Sequence, residues 1–309
     1  MNTSHASLEA QSDRIEQALA QHDITGRVTG GLVTPRVVQF RIACPHLKKV
    51  QSMASDLALA LDVPAVQVAR HGDGIILQVR RIDSERINLL TVLRRLAENK
   101  SMTPFTAFLG MCDDGAPLLI RLPANEVGHV IISGGCKSEL LRTMVISLAL
   151  FNKPRDMRLV LVGNVFADLA RLPHVQAYAA DNTQVAQVMA DLVRLVGRSE
   201  LAPRVVILMD GLGELKGDGD LAQLLREGHA AGIHIVVAHG GELSSAGFST
   251  VISAADAPGD SCAYAEGDAA VFGLTQISPA EVGQVVAQFS SAPRRWDVVN
   301  GWPWMWRIA

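Results

Sequence analysis

The sequence lacks most of the features that announce a chemistry at once. Its four cysteines, Cys44, Cys112, Cys136 and Cys262, stand far apart and no two form a C-x-x-C pair. That excludes common zinc spacings and a disulfide framework, and a reduced, cytoplasmic setting is expected. No H-E-x-x-H or G-x-S-x-G occurs, so neither a metalloprotease helix nor a nucleophile elbow is expected. No apolar run approaches the ~18 residues of a membrane span, and the stretch 144–151 is far too short. The opening MNTSHASLEAQSDRIEQ has no apolar core of a secretory signal. Net charge is only −3, which argues against strong nonspecific binding to nucleic acid. Aromatic residues are scarce at 5%, yet all four tryptophans, Trp296, Trp302, Trp304 and Trp306, fall in the last fourteen residues. That tail reads in three ways: folded back on its own domain, an anchor for a protein partner, or a membrane-interface belt.

What is present suffices for large cores, since 49% of residues are hydrophobic and 19% charged. Charge is unevenly spread. Residues 36–100 carry 11 Lys/Arg against 6 Asp/Glu, and residues 101–309 carry 15 against 21. Two compositional halves follow. In the first, Leu8, Ile15, Leu19 and His22 share a helical face, and the glycines of GRVTGG end that helix. VVQFRIA reads as a strand, 47–61 as one amphipathic helix, and AVQVA and GIILQV as strands around the turn HGDG. This order makes a small α+β module ending near residue 82, followed by a helix-like connector over 83–104. The second half alternates apolar strands at 129–133, 158–163, 204–210 and 234–238 with helical patterns at 139–151, 183–197 and 220–231. Such continuous apolar strands between helices imply a parallel α/β sheet. Ser278, Pro279 and Glu281 predict a capping box at the start of a last helix.

HVIISGGCKSELLRTM, residues 129–144, has the layout of a strand, a glycine turn and a Lys-Ser pair opening a helix. A working phosphate loop is G-x-x-x-x-G-K-[ST]. With the frame set on Lys137-Ser138, the two required glycines fall on Ile131 and Cys136. A helix N-terminus with Lys137 and Ser138 survives and still attracts an anion, but a fully cradled triphosphate is not expected. RVVILMD ends in Asp210, which reads either as a carboxylate once used to hold Mg²⁺ or as a strand-end cap. The neighbour that would activate water is Gly211 rather than Glu, with Glu214 four residues beyond Asp210; losing a general base costs on the order of 10²–10⁴ in rate.

In series, these segments resemble the motor region of FtsK/SpoIIIE-type DNA translocases over about residues 13–290. TPRVVQF and SDLALAL stand where that family's α subdomain has a strand and a Leu/Ala-rich helix. LGMCDDGAPLLIRLPANEVGHVIISG is similar to the strand pair leading into the Walker A loop. RLVLVG, LPHV, REGHAAGIHIVVA and ISPAEVGQVVAQF match the later segments in order. The resemblance implies a RecA-like P-loop NTPase core, a mostly parallel sheet flanked by helices, preceded by a small α+β subdomain. It places the subdomain with its connector at 1–100, the motor domain at 101–290 and the Trp-rich tail at 291–309. It also implies a ring, usually a hexamer, around double-stranded DNA, and no N-terminal membrane domain or C-terminal winged helix is expected here.

By position, Lys137 and Ser138 correspond to the Walker A Lys-Ser/Thr, and Asp210 to the Walker B Asp. The expected vestigial nucleotide site is Gly134, Gly135, Lys137, Ser138 and Asp210, with Ser138 and Asp210 toward Mg²⁺. No catalytic residue and no tightly bound cofactor are expected, and ATP with Mg²⁺ is expected to bind weakly if at all. His239-Gly240-Gly241 stand where the family has Thr-Gln. Arg194, Arg198 and Arg226 are equal candidates for an arginine acting on a neighbouring subunit. Three readings stay open: a pseudo-ATPase scaffold or regulatory partner in a homo- or hetero-oligomer, an ATP-driven translocase with an atypical loop, and a nucleotide-independent DNA-binding module.

Overall fold

The structure, a computed structural model, describes residues 5–33, 37–72, 74–80, 87–112, 114–196, 203–211, 219–240, 247–254, 262–263 and 272–290. It divides into two compact units, residues 1–86 with 113–116, and residues 87–112 with 117–309. The Trp-rich tail at 291–309 lies outside the described residues.

The first unit is helix α1 (His5–Gln21), strands β1 (Arg27–Val33) and β2 (Val37–Ala43), helices α2 (Leu47–Ser52) and α3 (Ala54–Ala60), and strands β3 (Val66–His71) and β4 (Gly74–Arg80). Its sheet is antiparallel in the order β1-β2-β4-β3. Alternation decides the faces: Val38, Phe40, Ile42, Ile75, Leu77, Val79 and Val66 join one apolar core with Ile15, Leu19, Val50 and Leu57 of the helices. Two expectations change here. GRVTGG does not merely end α1; it enters β1, an edge strand bulged between Val28 and Gly30, where Gly31 lets β2 approach because a Cβ would lie 2.4 Å from the Gln39 carbonyl. The helix expected over 47–61 breaks at Met53, whose φ of −101° and ψ of 18° leave the helical region.

The second unit opens with α4 (Leu89–Glu98), which the sequence pattern assigned to the connector. Leu89, Val92, Leu93 and Leu96 instead enter the second unit's core, so the boundary falls at 86/87 rather than at 100. β5 (Thr106–Cys112) and β6 (Pro117–Arg121) form the expected strand pair, and it is antiparallel. Then come β7 (Val130–Gly134), α5 (Lys137–Phe151), β8 (Met157–Val162), β9 (Val175–Ala179), α6 (Asn182–Val196), β10 (Arg204–Asp210), α7 (Gly219–Glu227), β11 (Ile233–His239) and β12 (Thr250–Ala254). After them lie the short strands β13 (Cys262–Ala263) and β14 (Phe272–Gly273), the latter paired with β5, and α8 (Pro279–Ser290).

The fold is α/β: a six-stranded, wholly parallel sheet in the order β12-β7-β11-β10-β8-β9, flanked by helices. Both its faces are buried. Val206, Leu208, Leu159, Leu161 and Ile132 pack toward α5 and α8, while Val205, Ile207, Met209, Val160 and Ile131 pack toward α6 and α7. The capping box forms as expected: the Ser278 hydroxyl and amide donate to Glu281 at 2.7 and 2.8 Å. The second Glu281 oxygen accepts from Asn88 Nδ2 at 2.6 Å, and Asn88 itself caps α4 by accepting from Thr91 N. One carboxylate thus joins two helix starts. Among the described residues no helix is long and apolar enough to cross a membrane.

Three histidines meet at the amino edge of the sheet. His234 and His129 are buried, with His229 edge-on between them at ring separations of 4.9 and 6.1 Å. His129 Nδ1 accepts from the Ile235 amide, which requires the uncharged ring. Burial, and secondarily the neighbouring His229, hold His129 down to about 4, and burial with His229 and Arg204 holds His234 down to about 3, from an ordinary 6.5. The unfolded chain therefore binds protons below 6.5 that the folded chain refuses. Stability is complete above pH 6.5 and falls as pH drops toward 4. Thermal melts across pH 7.5–4 should show this decline, and His234→Leu should flatten it.

Candidate functional site

Ligands of parallel α/β sheets gather beyond the carboxyl ends of the strands, and the candidate residues collect there. β7 pairs in parallel with β12 as far as Gly134 beside Ala254, and with β11 as far as Ser133 beside His239. Gly134 adopts φ of +97°, and a Cβ there would sit 1.7 Å from the Ala254 carbonyl oxygen. Only glycine fits. The exposed Gly135 and the buried Cys136 are all that separate β7 from the first residue of α5. Cys136 has φ of −93°, outside the left-handed region, and the positive φ of this turn falls on Gly134.

The half-buried Lys137 folds back, its ammonium donating to the Gly134 carbonyl at 3.3 Å. Gly240, after β11, leaves it room, since a Cβ there would lie 3.7 Å from Nζ. One residue on, the Ser138 hydroxyl lies 3.1 Å from each oxygen of Asp210, placed to donate to the carboxylate at the end of β10. Gly163, at φ +118°, keeps the neighbouring strand end clear of Asp210. Gly211 adopts φ of +92° and donates to the Ala238 carbonyl at 2.7 Å. A side chain at 211 would be conformationally strained but not crowded. Asp210 thus meets both readings given to it: it is tied to the helix start, and it sits at the strand end that a metal-holding carboxylate would occupy.

Sequence reasoning missed Arg142. One turn beyond Ser138, its guanidinium grips Asp168 with two bonds of 2.7 Å and also donates to the Val165 carbonyl. The Arg142 bonds hold the Asp168 carboxyl below the usual carboxylate range. The available signal was a lone cation within the apolar run of α5. Of the candidate arginines, Arg194 donates to the buried Asp191 at 2.9 Å, Arg226 is exposed in the last turn of α7, and Arg198 lies outside the described residues, as do Glu214 and Gly241. Among the described residues no group of His, Cys, Asp and Glu is arranged to hold a metal ion.

Against known proteins, the model of the FtsK alpha domain matches residues 1–76 and that of the FtsK/SpoIIIE family matches residues 88–245. The chain belongs to the FtsK/SpoIIIE family. FtsK/SpoIIIE relatives include DNA translocase FtsK of Staphylococcus aureus (strain Mu50 / ATCC 700699), 23% identical over 283 residues that cover 76% of this chain and 36% of that protein. DNA translocase SftA of Bacillus subtilis (strain 168) is 23% identical over 275 residues, covering 75% and 29%. The chain therefore spans about a third of these relatives' length. Among solved structures, the cytoplasmic domain of the Thermomonospora curvata type VII secretion ATPase EccC superposes with a TM-score of 0.49 at 19% identity, over 60% of this chain and 31% of that one. The pCW3 conjugation coupling protein TcpA, in a monomer form with ATPgS, gives 0.48 at 12% identity, over 90% and 99%.

The crowding at Gly134 yields a sharp contrast. Gly134→Ala must adopt a disfavoured φ and push β12 away, at a cost of about 3 kcal/mol. Gly135→Ala, exposed and outside the positive-φ set, should cost under ~1 kcal/mol. Urea titration of both variants checks the difference.

Proposed function

We propose that this FtsK/SpoIIIE-family chain is a pseudo-ATPase that keeps the motor scaffold and acts as a structural or regulatory partner in an oligomer. The observation that carries this reading is the two-residue turn between β7 and α5. A phosphate loop holds a triphosphate with an arc of backbone amides ahead of its lysine. Here that arc is missing, the Lys137 ammonium spans the turn itself, and β12 closes one flank at Gly134. The residues present do not fit a cradled ATP with Mg²⁺. Gly211 adds a second argument: it offers no base to activate water. Lys137, Ser138 and Asp210 remain together, and this favours a second reading, an ATP-driven DNA translocase whose site a neighbouring subunit completes. Ring assembly, double-stranded DNA as a partner, and a protein partner at the tail tryptophans are carried by the family relationship alone.

Calorimetric titration with ATP-Mg²⁺ and ADP, and steady-state hydrolysis with and without duplex DNA, decide between the two. The pseudo-ATPase reading expects no saturable binding below millimolar nucleotide and no hydrolysis above background. Turnover at motor-like rates that disappears in Lys137→Ala would overturn it in favour of the translocase.

A further inference from the structure

Strand β1 is an edge of the small sheet. It pairs with β2 on one side, and no described strand pairs with it on the other. Such an edge offers a row of backbone donors and acceptors to another chain. The start of the row is already taken, because the Val28 amide donates to Glu16 Oε1 of α1 at 2.8 Å. The bulge between Val28 and Gly30 then interrupts the register. Beyond it, residues 30–33 run in regular register with 38–41, and all four are exposed. Nothing crowds this stretch at Gly30, where a Cβ would meet no atom within 4 Å.

Three large apolar side chains stand exposed among the described residues, Leu32, Val33 and Leu59, and two of them are neighbours on β1. Consecutive strand residues point to opposite faces of a sheet. Val33, opposite Val38, lies on the face of the unit's core, and Leu32, opposite Gln39, lies on the other. A body resting on either face covers only one of them. A strand laid along the edge covers both, because its own side chains alternate in the same way.

The same edge leads into an acidic groove of about 730 Å³, lined by α1 and by residues 23–26, which run into β1. Asp13, Glu16 and Asp23 line it, and no Lys, Arg or His does. Among the described residues none of these three carboxylates forms an ion pair. Arg14 and Arg27, next to the groove in sequence, are exposed and stay outside its lining.

We propose that β1 and this groove dock an extended segment of a partner protein by strand addition, with Lys or Arg side chains in the groove and β-branched apolar side chains beside Leu32 and Val33. Main-chain bonds to residues 30–33 supply the affinity, and the groove supplies the selection. Its three unpaired carboxylates favour a basic segment and repel an acidic one. A segment of about eight residues, at ~3.3 Å each, spans the edge and the groove. No residue of the β7–α5 turn takes part, so this docking stands or falls separately from the pseudo-ATPase reading.

Fluorescence anisotropy with the full chain tests it, using the labelled peptide KKTVTVTVKK and its acidic counterpart EETVTVTVEE. The basic peptide should bind saturably, and the acidic one at least about tenfold more weakly. Asp13→Asn/Asp23→Asn should weaken the basic peptide roughly fivefold and flatten its dependence on salt. Leu32→Thr/Val33→Thr, both at exposed positions, should weaken it by a similar factor while thermal melting stays unchanged. A basic peptide N-methylated throughout TVTVTV keeps its charges but loses its donors, and it should not bind. Amide exchange at residues 30–33 should slow when the unmodified peptide binds. Absence of saturable binding, equal affinity for the acidic or the N-methylated peptide, unchanged affinity in either double variant, or unchanged amide exchange would each overturn the proposal. Self-association of the chain that Leu32→Thr/Val33→Thr abolishes, seen by mass measurement, would assign the edge to a second copy and overturn it as well.

Discussion

The parallel pairing of β7 with β12 up to Gly134 and Ala254 governs the whole carboxyl edge of the sheet. It fixes where the strand ends, and with it how much chain remains before α5. Backbone hydrogen bonds on both flanks of β7 hold Ser133 and Gly134 in the strand direction. The helix begins three residues later. No slack is left for a loop that bows out and returns. The position of Lys137, its bond back to Gly134 and the reach of Ser138 to Asp210 are consequences of that short span.

This constraint is compatible with a stable fold because the fold's stability lies elsewhere. The central strands bury alternate side chains on both faces, and α5 is buried at nearly every position from Leu140 to Ala149. Burial of apolar surface contributes about 25 cal/mol per Å², and the apolar clusters on the two faces of the sheet include neither Gly135 nor Cys136. A phosphate loop adds few apolar contacts of its own. A short turn here therefore leaves the sheet and its two helical layers intact.

The parts of the fold that were legible in the sequence are those where burial is symmetric. The four inner strands, β7, β11, β10 and β8, read as continuous apolar runs because both faces need the same chemistry. β9 and β12 escaped detection by pattern because they are edges: VQAYA and TVISA mix buried and half-exposed positions over only five residues. β1 was hidden by its glycines, which read as a turn until its pairing with β2 is seen. The capping box at Ser278 and Glu281 was readable because it is local, whereas its link to Asn88 spans 193 residues and has no local signal. The same distinction divides the site. Lys137, Ser138 and Asp210 follow from strand ends and motif spacing, but the Arg142–Asp168 clamp depends on how the chain after β8 returns to α5.

The pairing of Ser138 with Asp210 does not by itself require a nucleotide. A half-buried carboxylate at a strand end needs donors, because desolvating it without them is costly. The Ser138 hydroxyl lies within reach of both oxygens, and the positive end of the α5 dipole faces the same region. Each residue therefore satisfies the other in the protein alone. Lys137 is accounted for in the same way, since its ammonium finds the Gly134 carbonyl that the end of β7 leaves available. Joined directly, the three residues are parts of the scaffold that ties α5 to β7 and β10.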